Sequence, residues 1–272
     1  MAKFSNHSRS ISLPSSSHPL LVTAEEHLQR LKSSSEAASS HASACQKLDG
    51  LKKLYECLDD VLQLPLSQQV LSHERSGKWE EEVLDGSLRL LDICGTVKDI
   101  YSQMKESVQE LQSSLRRKGT GDMVTPKKHL NKLISKCYKE LKKAENSNKD
   151  SEIQIVPLVS LVKQVQEVSL PVMQSLLFFL SGSKSRSQPK GWSLVSKLLQ
   201  QKRASSEGDS DIAAIEQIEN QLYLLNSKNS NKDVIKKLQE VDSNIQELAE
   251  VLEIFFRLLL KTRVFLLNIL NH

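Results

Sequence analysis

The chain has 272 residues, 39% of them hydrophobic but only 4% aromatic, with 9 Gly and 7 Pro. So few turn formers, set against abundant Leu, Ser, Lys, Glu and Gln, exclude a sheet-rich architecture and favour long helices, and the length suffices for a substantial core. A net charge of +4 is too small to call for nucleic acid as a partner, and the aromatics are too sparse to stack on bases.

Residues 1–20 hold seven serines, Lys3 and Arg9, and no acid. With Pro14 and Pro19 breaking it further, the stretch 1–22 is expected to be a disordered tail; its composition is also compatible with a plastid transit peptide. Within it, Arg9, Ser12 and Pro14 stand in the R-S-x-S-x-P order favoured by phosphoserine-reading 14-3-3 proteins. There a phosphate on Ser12 would dock in an arginine cluster and the proline would turn the chain out of the groove. Serine-rich composition also produces this pattern by chance.

A single helical domain is expected from residue 23 to 272. Thr23 and Glu26 are placed as a capping box ahead of Leu28 and Leu31. A Ser/Ala run over 33–43 weakens the pattern. Cys45, Leu48, Leu51, Tyr55, Leu58 and Leu62 then form a strong stripe that ends before Pro65. Asp59 and Asp60, pointing about 100° apart on a helix, read as solvated rather than as a catalytic pair. Residues 66–72 suit a short helical turn.

The stretch 79–115 has no proline and an apolar series at Leu84, Leu88, Leu91, Cys94, Val97, Tyr101, Met104, Val108, Leu111 and Leu115. From Val97 the spacing is that of a heptad seam, which requires another helix against it. Glu80, Glu81 and Glu82 suit its N-terminal dipole, and Arg116, Arg117 and Lys118 its C-terminal one.

Between residues 116 and 143, ten Lys or Arg face only Asp122 and Glu140. Lys127, Lys128, Lys132, Lys136, Lys139, Lys142 and Lys143 surround an apolar side of Leu130, Ile134, Cys137 and Leu141, making a basic amphipathic helix over about 127–145. Such a helix either lies on an anionic protein or membrane surface or presents a solvated lysine face in a bundle. The apolar stretch 153–180 is too interrupted for a membrane span, its longest uncharged piece being the 16 residues from 168 to 183 with Pro171 inside. It reads as a buried, proline-kinked core helix. A flexible linker follows over about 181–191, then short helices over 192–203 and 211–226, with Trp192 as a packing anchor.

The last segment, 233–269, steps by three and four through Val234, Leu238, Val241, Ile245, Leu248, Leu252, Phe255, Leu259, Thr262, Leu266 and Ile269. It matches the 79–115 helix in length and seam, so the two are expected to pair, with Tyr101, Met104 and Val108 buried opposite the 245–259 region. Glu253, Arg257 and Lys261 form an i, i+4 ladder on another side of the same helix, with the acid ahead of the bases. The predicted fold is thus all-α, an elongated antiparallel helical bundle built on two long heptad-patterned helices.

Catalytic and metal-binding motifs are absent. The histidines at 7, 18, 27, 41, 73, 129 and 272 show no H-x-x-H or H-E-x-x-H spacing, and there is no phosphate loop or nucleophile elbow. Cys45, Cys57, Cys94 and Cys137, 12, 37 and 43 residues apart, read as reduced, buried structural thiols of an intracellular, most simply cytoplasmic, protein. No catalytic residue, metal or cofactor is expected, and partners are expected to be proteins rather than nucleic acid, with the lysine helix docking on a membrane surface as the alternative.

Several blocks carry a resemblance: RSISLPSSSHP at 9–19, CQKLDGLKKLYECLDDVLQLPLSQQVL at 45–71, KWEEEVLDGSLRLLDICGTVKDIYSQMKESVQELQSSLRRK at 78–118, GWSLVSKLLQQKR at 191–203 and RLLLKTRVFLLNILNH at 257–272. Together they resemble the plant-specific domain of unknown function 241 family, related to BYPASS proteins. The resemblance implies a regulatory role in root and shoot development and brings no known catalytic residue, ligand or cofactor.

Overall fold

The computed structural model describes residues 18–34, 38, 40–73, 78–117, 127–147, 157–180 and 231–271. The linker and short helices expected over 181–226, and the tail motif of Arg9, Ser12 and Pro14, lie outside the described residues. Among those described there are seven helices and no strand: α1 Pro19–Ser33, α2 His41–Gln63, α3 Pro65–His73, α4 Lys78–Arg116, α5 Lys127–Ser147, α6 Pro157–Leu180 and α7 Asn231–Asn271.

The helix ends follow local chemistry, with one shift from expectation. α1 starts at Pro19, inside the stretch assigned to the tail. His18 is the N-cap, its Nδ1 accepting from the Leu20 N–H at 3.3 Å, and proline tolerates the first turn because its missing N–H would be unpaired there anyway. Thr23 is therefore not a cap; its hydroxyl donates to the Pro19 carbonyl one turn back. Ser40 caps α2 through the Ser43 N–H, and α2 gives way at Leu64 to the extended conformation that precedes Pro65.

Four helices form a closed ring: α2 packs on α7, α7 on α4, α4 on α6 and α6 back on α2. Side-chain pairs fix their directions. Along α4 and α7, Ser87 meets Arg263, Lys98 meets Glu253, Lys105 meets Gln246 and Gln109 meets Asp242, so the two run antiparallel. Along α2 and α7, His41 meets Asn244, Tyr55 meets Phe255 and Asp59 meets Lys261, so these run parallel. α4 and α6 are parallel too, with Glu82 at Lys163 and the Val83 carbonyl at Gln166. The expected antiparallel bundle is thus corrected to a mixed one. Helix α5, packed on both α4 and α6, carries the chain back between two parallel neighbours.

The core lies inside this ring. Along α7, Leu238, Ile245, Leu248, Leu252, Phe255, Leu259, Thr262, Leu266 and Ile269 are all buried, as their spacing predicts. On α4, Val97, Tyr101, Met104 and Val108 are buried against it, while the side chains of Leu111 and Leu115 lie outside the described residues. The N-terminal half of α4 differs from expectation. Leu88 is 44% exposed, and the buried line enters through Val83, Ser87 and Leu90, with a second buried row at Ile93 and Ile100. The physical reason is that α4 has partners on two sides, α7 on one and α5 with α6 on the other, so its buried surface is wider than one seam and centred differently.

Three further expectations change. Asp59 is 4% exposed rather than solvated, because Lys261 reaches across from α7 to its Oδ2 and Gln63 donates to the same oxygen at 2.7 Å. Along α7 Arg257 pairs with Glu253 at 3.0 Å, while Lys261, next in the i, i+4 series, is turned to Asp59. Cys94 and Cys137 are buried, but Cys45 and Cys57 are only half-buried. Pro171 sits inside α6 at an exposed position, where water is available to the carbonyl that proline leaves open. Among the described residues no helix is long and apolar enough to cross a membrane.

Candidate functional site

The strongest concentration of one charge in the described residues is on α5. Its apolar residues Ile134, Cys137, Leu141 and Ala144 recur by three and four and are buried. Lys132, Lys136, Lys139 and Lys143 recur by four and three on the opposite side and are exposed, as is Lys142. Lys127 and Lys128 belong to the first turn, their side chains lying outside the described residues. Glu140 is the one acid within this row, paired with Lys143 at 3.0 Å.

Packing decides what this face can do. Burial, and secondarily the Glu140 carboxylate, push the Cys137 thiol up to about 12, the behaviour of a core group. The apolar side of α5 is spent on α4 and α6, so what the helix turns to the surface is its lysine row, with Glu140 among it. Lysines on flexible stems act as point charges, suited to a diffuse anionic surface rather than to bidentate recognition of one carboxylate. Their field is screened beyond about 10 Å at ordinary ionic strength.

A notch lined by Gly86, Arg89, Leu90, Ala144, Gln166 and Leu170 lies where α4, α5 and α6 meet. Its empty volume of about 240 Å³ includes the open mouth, less than the roughly 300–1,000 Å³ of ordinary ligand pockets. Gln166 occupies its wall, donating to the Val83 carbonyl at 2.9 Å, and approaches so near to Gly86 that a Cβ there would stand 2.4 Å from Gln166 Oε1. The notch is a helix-packing feature.

The structure also gathers residues that spacing along the chain does not connect. His41 and Cys45, one turn apart on α2, meet Glu247 of α7. The H-x-x-x-C spacing was legible, since it places both side chains on one helix face, but the third member lies some 200 residues away and depends on the pairing of α2 with α7.

No curated protein and no solved structure matches the chain significantly. The family profile described as Protein BPS1 matches residues 47–269, which take in α3, α4, α5 and α6 entirely and most of α2 and α7. The chain therefore belongs to the Protein BPS1 family, that of the BYPASS-related plant proteins with domain of unknown function 241.

Proposed function

We propose that this protein is a non-enzymatic, elongated helical interaction protein of plant root and shoot development, which meets an acidic protein partner through the lysine face of α5. The observation that carries this is the division of labour on α5: Ile134, Cys137 and Leu141 are consumed by the core, while Lys132, Lys136 and Lys139 are exposed and the core does not need them. Family membership supports a regulatory rather than a catalytic role. Two helices of 39 and 41 residues, each about 60 Å long at about 1.5 Å per residue, would give it an extended surface on which to hold partners.

The test is charge reversal. Lys132→Glu, Lys136→Glu and Lys139→Glu together should leave the helix content and melting of the full chain unchanged. They should remove, in a salt-sensitive way, partners recovered from plant tissue with the tagged wild type and identified by mass spectrometry. Flotation with anionic liposomes decides the alternative: wild type that floats, with a triple variant that stays behind, would assign the same face to a membrane surface.

The tail supplies a second contact, proposed from Arg9, Ser12 and Pro14 alone. A Ser12-phosphorylated peptide spanning residues 3–20 should bind a 14-3-3 protein, while the unphosphorylated peptide and an Arg9→Ala version bind far more weakly. Equal binding by all three would reduce the motif to composition.

A further inference from the structure

At the start of α2 and the facing turns of α7, three groups with the chemistry of metal ligands converge. His41 Nε2 lies 3.4 Å from Cys45 Sγ and 3.5 Å from Glu247 Oε2, and the three ligand atoms all fall within 4.8 Å of one another. The backbone carbonyl of Asn244 is also 3.2 Å from the same imidazole nitrogen. Around this nitrogen stand a thiol, a carboxylate and a carbonyl, each able to present a lone pair to a shared cation.

The separations have the dimensions of a coordination shell. Zinc bonds of about 2.3 Å to sulfur and about 2.0–2.2 Å to nitrogen or oxygen, arranged tetrahedrally, place neighbouring ligand atoms roughly 3.3–3.7 Å apart. Both measured contacts of His41 fall in that range. The remaining edge, between Cys45 and Glu247, is within 4.8 Å, and the Glu247 side chain, 61% exposed, has room to adjust it.

Without a cation, burial and then the Glu247 carboxylate push the Cys45 thiol up, so it is not poised as a nucleophile.

We propose that His41, Cys45 and Glu247 form a binding site for a zinc-class divalent cation that clips the N-terminal end of α2 to α7. Imidazole, thiolate and carboxylate suit a borderline cation such as Zn²⁺ better than Mg²⁺ or Ca²⁺, which take oxygen ligands. Three protein ligands leave a fourth position for water or the Asn244 carbonyl. The site joins helices distant in sequence, so its occupancy adds to fold stability by mass action.

The test uses the full chain stripped with chelator and titrated with Co²⁺. The wild type should take up one equivalent with a thiolate-to-cobalt charge-transfer band that Zn²⁺ abolishes, and Zn²⁺ should raise its melting temperature. Cys45→Ser should lose the band and the thermal shift. Cys57→Ser, which removes the other half-buried thiol, should keep both. His41→Gln and Glu247→Gln should each bind Co²⁺ at least about tenfold more weakly, a loss of the size seen on perturbing metal sites. Circular dichroism of the stripped variants checks that they fold; if Cys45→Ser does not, the Cys57→Ser and Glu247→Gln results still decide. Absence of a band in the wild type, a band lost with Cys57 instead, or a Glu247→Gln protein that binds as tightly as wild type would each overturn the site.

Discussion

Asp59 of α2 and Lys261 of α7 form an ion pair with very unequal surroundings: the carboxylate side chain is 6% exposed and the lysine side chain 59%. The lysine reaches in from solvent, its Nζ 2.5 Å from Oδ2, while Asp59 Oδ1 is buried with no hydrogen-bond partner among the described residues. A buried carboxylate that loses its counter-charge is costly, whereas a neutral group there is not. Lys261→Met should therefore lower stability in the wild type and have much less effect when Asp59 is already Asn. Chemical denaturation of the four proteins of that cycle measures the coupling. Strict additivity would mean that the pair contributes nothing to holding α2 on α7.

The phase of α4 is tested by two leucines only two positions apart. Leu90 is 1% exposed and Leu88 is 44% exposed. Leu90→Ala should cost about 2–5 kcal/mol, the range for truncating a core leucine. Leu88→Ala should stay within about 0.5 kcal/mol, as exposed substitutions do. Urea midpoints for both would detect an error in the rotation of this helix, because the opposite ranking is what a single seam through Leu84, Leu88 and Leu91 requires.

Tyr55 ties three helices together. Its ring meets Phe255 of α7 edge-on, with centroids 5.1 Å apart and planes at 84°, and its hydroxyl is 3.2 Å from Ser169 Oγ of α6. Phe255→Ala should cost about 3–5 kcal/mol through the cavity it leaves. Tyr55→Phe should cost only about 0.5–1.5 kcal/mol, since Ser169 retains its bond to the Val165 carbonyl at 2.7 Å. Thermal or chemical melts that place the two substitutions level would show that the junction depends on the hydroxyl pair more than on the ring.

Glu253 gives a pH signature. Hydrogen bonds from Lys98 and Arg257 hold its carboxyl below the ordinary 4.5. A carboxyl with a depressed folded-state value stabilises the fold above its unfolded value, and that contribution is lost as pH falls through the folded one. The stability gap between wild type and Glu253→Gln should thus be constant above about pH 5.5 and close at lower pH, and, for so exposed a group, shrink with added salt. A gap that widened in acid would contradict the assignment.

Much of this architecture was legible because helices announce themselves locally. The stop of α2 before Pro65 could be read locally, and three-four spacing found α4 and α7 within two residues of their ends, whereas Pro19, read as a breaker of the tail, opens α1. The buried face of α7 could be read almost residue by residue, since its seam is regular from Leu238 to Ile269. Family membership was likewise legible, in blocks spread along the chain. The basic side of α5 was visible as a run of lysines, but the loss of its apolar side to the core was not, because spacing shows that a face is apolar and not what covers it.

Tertiary structure decided whatever depends on which helices become neighbours. Asp59 looks solvated in any local window and is buried only because α7 runs parallel beside α2 and carries Lys261 to it. Leu88 belongs to an apolar series yet stays exposed, because two sets of partners rotate α4 to a compromise between them. His41 and Cys45 share a face by helical geometry alone, but Glu247 joins them only through the same parallel pairing. Periodicity is a one-dimensional property that survives in any arrangement of the helices, whereas charge pairing and ligand geometry exist only once the arrangement is chosen.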